Sequence, residues 1–142
     1  MDRRVPLARR FLRASDGAAA VEFAIVGPAL AVMLLGICGW GGYFWLSHSV
    51  QQLTNDAARA AMGGLDTAER ASLAQAAVTE EISDYTWLTA ANSKVVVTDA
   101  GDSLTVKITY DASGTPFWSM SGLVPMPSKT ISRSATVRLG GY

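Results

Sequence analysis

The chain has 142 residues, one Cys, one His and a formal net charge of zero. That length holds at most one small domain with attachments. A single Cys excludes an intrachain disulfide, and one Cys with one His cannot supply a zinc site. The charge is unevenly spread: residues 1–17 set five Arg against Asp2 and Asp16, whereas the remainder is mildly acidic and carries no Lys/Arg stripe, which argues against nucleic-acid binding. No phosphate-cradling, nucleophile-elbow or zinc-protease motif is present, so neither catalysis nor a cofactor is expected.

Taken in order, residues 1–17 form a basic leader (Arg3, Arg4, Arg9, Arg10, Arg13). From Phe23 to Leu46 there is no Asp, Glu, Lys, Arg or His. At ~1.5 Å per residue a helix of that length covers the ~30 Å of bilayer hydrocarbon, so a span is expected at about 23–46. The basic flank predicts that the N-terminus stays in the cytoplasm and the C-terminal part lies outside it. Composition alone reads as an uncleaved signal anchor. A secretory cut at Ala29-Leu30-Ala31 falls inside the apolar run. A lipoprotein cut before Cys38 lacks a small residue at Ile37. A third possibility is a cut after Gly17, which discards the leader and keeps the span. The new α-amino group on Ala18 then lies one helical turn from Glu22, on the same face. Glu22 is either a partner for such an ammonium or a plain marker of the water–lipid boundary. The distinction matters because a carboxylate inside hydrocarbon is costly without a partner.

Within the span, Pro28 removes a backbone hydrogen bond and is expected to kink or loosen the helix. Gly36, Gly39 and Gly42 recur every three residues, a stripe suited to a partner helix. Trp40, Tyr43, Phe44 and Trp45 fit the interfacial belt at the outer end. Residues 47–62 read as an amphipathic continuation, with Val50, Leu53, Ala57 and Ala61 at helical spacing, stopped by Gly63-Gly64. Asp66 and Glu69 resemble a capping box opening a second helix, expected from Thr67 to about Thr89 with an apolar stripe of Ala71, Ala74, Val78, Ile82 and Tyr85.

After Asn92 the period changes to two. Val95 and Val97 alternate with polar neighbours, Asp99-Ala100-Gly101-Asp102 is a turn, and Leu104, Val106, Ile108 and Tyr110 make the clearest strand. Ile131, Ala135, Val137 and Leu139 define a third strand, its apolar face interrupted by Arg133, which suits an edge position. The expected fold is α+β: a long N-terminal transmembrane helix extending out of the membrane, a second helix, then a small three-stranded antiparallel sheet. The organisation expected is a leader at 1–17, the helix at 18–62 and an extracytoplasmic domain at 63–142. Residues 111–128 form an apolar loop that needs cover, by the sheet, the membrane surface or another protein.

The segment Gly17-Ala18-Ala19-Ala20-Val21-Glu22-Phe23-Ala24-Ile25-Val26, with Pro28 following, resembles the N-terminus of TadE-like pseudopilins of bacterial tight-adherence (Flp) pilus machinery. The likeness runs through Ser49-Val50-Gln51-Gln52 and Asn55-Asp56-Ala57-Ala58-Arg59 and covers roughly residues 10–62. The resemblance implies a pilin-like fold and processing by prepilin peptidase between Gly17 and Ala18, making Glu22 the fifth mature residue, with Phe23 beside it. Gly27 departs from the pattern, in which a bulky apolar residue precedes Pro28. TadF-like pseudopilins share the same processing signature. The implied setting is the bacterial inner membrane, with other pilins and the Flp secretion platform as partners and pilus assembly or priming, for adhesion and biofilm formation, as the role. The competing reading is an unprocessed single-span envelope protein whose outer domain binds a partner.

Overall fold

The computed structural model describes residues 15–139; the basic residues of the leader lie outside them. Helix α1 (Ser15–Ala61) runs 47 residues and continues unbroken past Pro28, whose missing N–H leaves the Ala24 carbonyl without its usual helical donor. The helix is apolar and long enough to cross a membrane. It ends as expected at the glycine pair, where the N–H groups of Met62, Gly63 and Gly64 donate to the carbonyls of Arg59, Ala60 and Ala61.

Helix α2 (Thr67–Glu81) opens on the expected cap: the Glu69 N–H donates to Asp66 Oδ1 at 2.8 Å, and Glu69 Oε2 accepts from the Leu65 N–H at 2.8 Å. It closes earlier than the expected Thr89, giving way to a 3-10 turn at Ile82–Asp84. Glu80, Glu81 and Asp84 crowd the negative end of the helix dipole, and no basic residue stands in its last turn to offset them. The apolar stripe itself continues, with Ala74, Val78 and Ile82 buried.

Strands β1 (Ser93–Asp99), β2 (Ser103–Asp111) and β3 (Thr130–Arg138) form an antiparallel sheet in that spatial order. The β1–β2 turn places Gly101 at φ 87°, a conformation that disfavours a side chain. Register brings Val97, Val106 and Ala135 across one row, and Val95, Ile108 and Arg133 across the next. The inward face of β2 is wholly apolar, and Leu104, Val106, Ile108 and Tyr110 are fully or almost fully buried. These pack on Leu46, Val50, Leu53, Ala57 and Ala61 of α1 and on Ala74 and Val78 of α2. Burying each large aliphatic side chain stabilises the fold by roughly 1.5–3 kcal/mol.

Each edge strand turns one charged residue inward, and each charge is met by a different helix. Asp99 on β1 accepts from the Arg70 guanidinium and the Thr67 hydroxyl of α2. Arg133 on β3 donates to the Ser47 hydroxyl and, at 3.5 Å, to the Ser47 carbonyl of α1. Arg133 therefore does lie on an edge strand, with its head tied to the long helix.

The segment between β2 and β3 contains a 3-10 helix (Pro116–Gly122) and lies along α1. Phe117 fills the space above Gly42, Met126 sits against Gly39, and Val124 Cγ1 lies 3.6 Å from where a Cβ on Gly36 would be. This corrects the reading of the glycine stripe as a partner-helix surface: the chain's own loop occupies it. Trp118 is buried, edge-on to Tyr43 with ring centroids 6.1 Å apart.

Candidate functional site

The candidate site is the first two turns of α1. Gly17 is helical, and among the described residues nothing stands within 4 Å of the place a Cβ would take. The bond between Gly17 and Ala18 therefore lies within the helical segment, at the residue whose conformational freedom most weakens a helix, by about 1 kcal/mol relative to Ala. Ala18 and Glu22 are exposed and four residues apart, so they share a face. Among the described residues no cation pairs with the Glu22 carboxylate.

Phe23 is 75% exposed, and its ring lies over Gly27: a Cβ there would stand 3.5 Å from two ring carbons. The departure at Gly27 thus has a local consequence, since a bulky side chain would have to displace the ring. Pro28 follows directly, so Phe23, Gly27 and Pro28 form one small unit on the helix surface. Val21, Ile25, Val26, Leu30, Met33, Leu34 and Ile37 are all exposed, and the described chain first reaches this length of helix at Gly36, beside Val124.

Farther up the helix, cover begins. Gly39 and Gly42 are buried, and Leu46, Ser47, Val50 and Leu53 belong to the interior formed with the sheet. Ser49 and Thr54 are buried here too, and the hydroxyl of each donates to the carbonyl four residues earlier, Trp45 and Val50 respectively. An open cleft lined by Phe44, Ser47, His48, Gln51 and Arg133 lies beside this stretch.

The shifted titratable groups belong to the sheet, α2 and the turns between them. The Asp99 carboxyl is held below its ordinary range, chiefly by the Gly101 N–H, then by the Arg70 guanidinium. Asp111 is lowered by hydrogen bonds from the backbone and side chain of Ser113. Glu81 is raised, first by burial and then by the like charges of Asp56, Glu80 and Asp84. These groups are separated on the fold and serve turns and helix ends. Among the described residues no group of three or more His, Cys, Asp or Glu could hold a metal ion.

Residues 17–59 match the family model described as TadE-like protein. The match starts at Gly17 and ends inside the last turn of α1, so the TadE-like segment is the long helix itself. It includes Gly17, Ala18, Glu22, Phe23 and Pro28. The two helix-to-domain ties missed by sequence reasoning, Ser47–Arg133 and Gly42–Phe117, each join this segment to a part of the chain beyond the match. No curated protein and no solved structure matches the chain.

Proposed function

We propose that the chain is a pilin-like membrane subunit of a bacterial Flp (tight-adherence) pilus system, made as a precursor and cut by prepilin peptidase between Gly17 and Ala18. The observation that carries this reading is the TadE-like match over 17–59, which begins at the glycine of the proposed cut. The leader stays in the cytoplasm, α1 crosses the inner membrane once, and the α+β domain stands on the far side.

Gly17 makes the first turn easy to unwind, which a peptidase needs in order to reach a backbone bond inside a helix. Cleavage leaves a free α-amino group on Ala18 with a pKa of about 7.7–8.0, one turn from Glu22. A lone carboxylate at the centre of the hydrocarbon costs about 2.5–3.5 kcal/mol on insertion scales. An ammonium from the same or a neighbouring subunit offsets that cost when helices pack side by side. The bare surface of α1 up to Ile37 supplies the apolar area for such packing. The role is assembly or priming of the pilus, with adhesion and biofilm formation as the downstream outcome, and the partners are prepilin peptidase, other pilins and the Flp secretion platform.

N-terminal sequencing of the membrane-extracted protein tests the reading. A start at Ala18 is expected, and Gly17→Leu should accumulate full-length precursor in a strain with an active peptidase. Glu22→Ala should insert normally and still lower piliation. An intact leader, or a start inside the apolar run, rejects the processed-subunit reading in favour of an uncleaved envelope protein.

A further inference from the structure

Residues 112–128 contain no Asp, Glu, Lys, Arg or His, and neither does the stretch of α1 against which they lie. Charged Asp111 and Lys129 bracket the segment, and its neck is closed by the Ala112 N–H donating to the Lys129 carbonyl at 2.8 Å. Below the neck the loop descends along the helix. Its contacts pass from Gly42 through Gly39 to Gly36, six residues of helix or ~9 Å. At its tip Leu123 is 67% exposed, and at the other end of the loop the exposed Trp87 packs on Phe117 with centroids 5.9 Å apart.

A loop in lipid needs its polar backbone groups satisfied, because no water is present to do so. This one goes far toward meeting that requirement. The Leu123 and Val124 N–H groups both donate to the Met120 carbonyl. The Trp40 indole N–H donates to the Pro125 carbonyl at 3.1 Å, and the Trp118 indole N–H to the Pro127 carbonyl at 3.1 Å. Pro116, Pro125 and Pro127 have no N–H to satisfy. A water-facing loop has no need of tryptophans to cap its carbonyls, or of so long an absence of charge.

We propose that residues 116–126 form a wedge inserted into the outer leaflet of the membrane that α1 crosses, with Phe117 nearer the headgroups and Leu123, at the tip, deeper among the acyl chains. The occupant of this apolar face is lipid, and continuity assigns it. The loop is packed on a helix whose adjoining surface is bare and apolar, so a bilayer that surrounds Ile37 reaches the loop tip one residue level away. The loop tip, at the level of Gly36, lies ten residues or ~15 Å of helix inside Leu46, the expected outer end of the span. The wedge rests on the transmembrane reading of α1.

The test uses the full-length chain with Cys38→Ala, carrying a single environment-sensitive fluorophore at Leu123→Cys, Ile37→Cys or Ala100→Cys, in phosphatidylethanolamine–phosphatidylglycerol proteoliposomes. Leu123 and Ala100 are exposed, so labelling leaves the interior intact. Ile37 reports the span, and Ala100 lies in the β1–β2 turn at the opposite end of the strands from the loop. The label at 123 should be quenched several-fold more by lipids spin-labelled along the acyl chain than by aqueous iodide, with the reverse at 100. Lipid quenching at 37 combined with iodide quenching at 123 overturns the wedge while leaving the span standing. Lipid quenching at neither position overturns both. Protection at 123 from both quenchers, rising with the protein-to-lipid ratio, assigns the face to a second copy of the chain and also overturns the wedge.

Discussion

Phe117 occupies the room that a side chain at residue 42 would need: a Cβ there would overlap the ring. Gly41, one position back, faces open space. Gly42→Leu should therefore lower the stability of the fold by about 1–3 kcal/mol, the usual cost of overfilling a packed site. Gly41→Leu should stay within about 0.5 kcal/mol. Denaturant titration of both variants in detergent, followed by the fluorescence of buried Trp118, measures the contrast. Asp99 offers a second residue-level prediction. Its carboxyl is held low by the Gly101 N–H and then by Arg70, so the folded state binds its proton less readily than the unfolded chain does. That stability is present above the ordinary Asp range and is lost as pH falls through the lowered value. Asp99→Asn should flatten the acid limb of the stability–pH curve, while a curve unchanged by the substitution would assign the acid sensitivity to other carboxylates.

Among the elements, the strands were the most legible in the sequence, because each alternates and Gly101 marks the turn between the first two. The entry to α2 was legible from Asp66 and Glu69, two side chains whose local bonds need only local spacing. Its exit was not. The apolar stripe runs on through Ile82 and Tyr85, and periodicity alone gives no weight to Glu80, Glu81 and Asp84 at the negative end of the dipole. Ionised Glu81 is disfavoured in the fold by burial and by its acidic neighbours. Its contribution therefore worsens as pH rises through its elevated titration range, opposite in sign to that of Asp99. Glu81→Lys should raise the thermal midpoint, corresponding to a few tenths to about 1 kcal/mol, by setting a cation at the helix C-terminus. A midpoint that fails to rise would show that the dipole is not what ends the helix.

At the scale of the whole molecule, the candidate site was legible because its signal is linear: Gly17, Glu22, Phe23 and the uncharged run follow one another in sequence and lie along one helix. The attachment of the sheet domain to that helix was not legible. A glycine every three residues fits a foreign helix as well as a folded-back loop, since the absence of a side chain carries no identity of its partner. Arg133 and Ser47 are 86 residues apart, and a lone inward Arg on an edge strand does not name its acceptor. The loop's lack of charge was visible, but the helix it would cover was not.

Those attachments have a mechanical consequence. A lone helix in a bilayer can spin about its own axis, and a carboxylate on it then points in no fixed direction. Here Phe117, Val124 and Arg133 hold the sheet domain on particular sides of α1, and the helix continues without a break to Ala18. On a regular helix Ala18 lies about five full turns below Gly36, on the same meridian as the loop, with Glu22 about 40° around from it. The heading of the sheet domain thereby sets the compass bearing of Glu22 along the whole length of α1, as a crankshaft carries an angle from one end to the other. Turning the domain at one end would aim the carboxylate at the other.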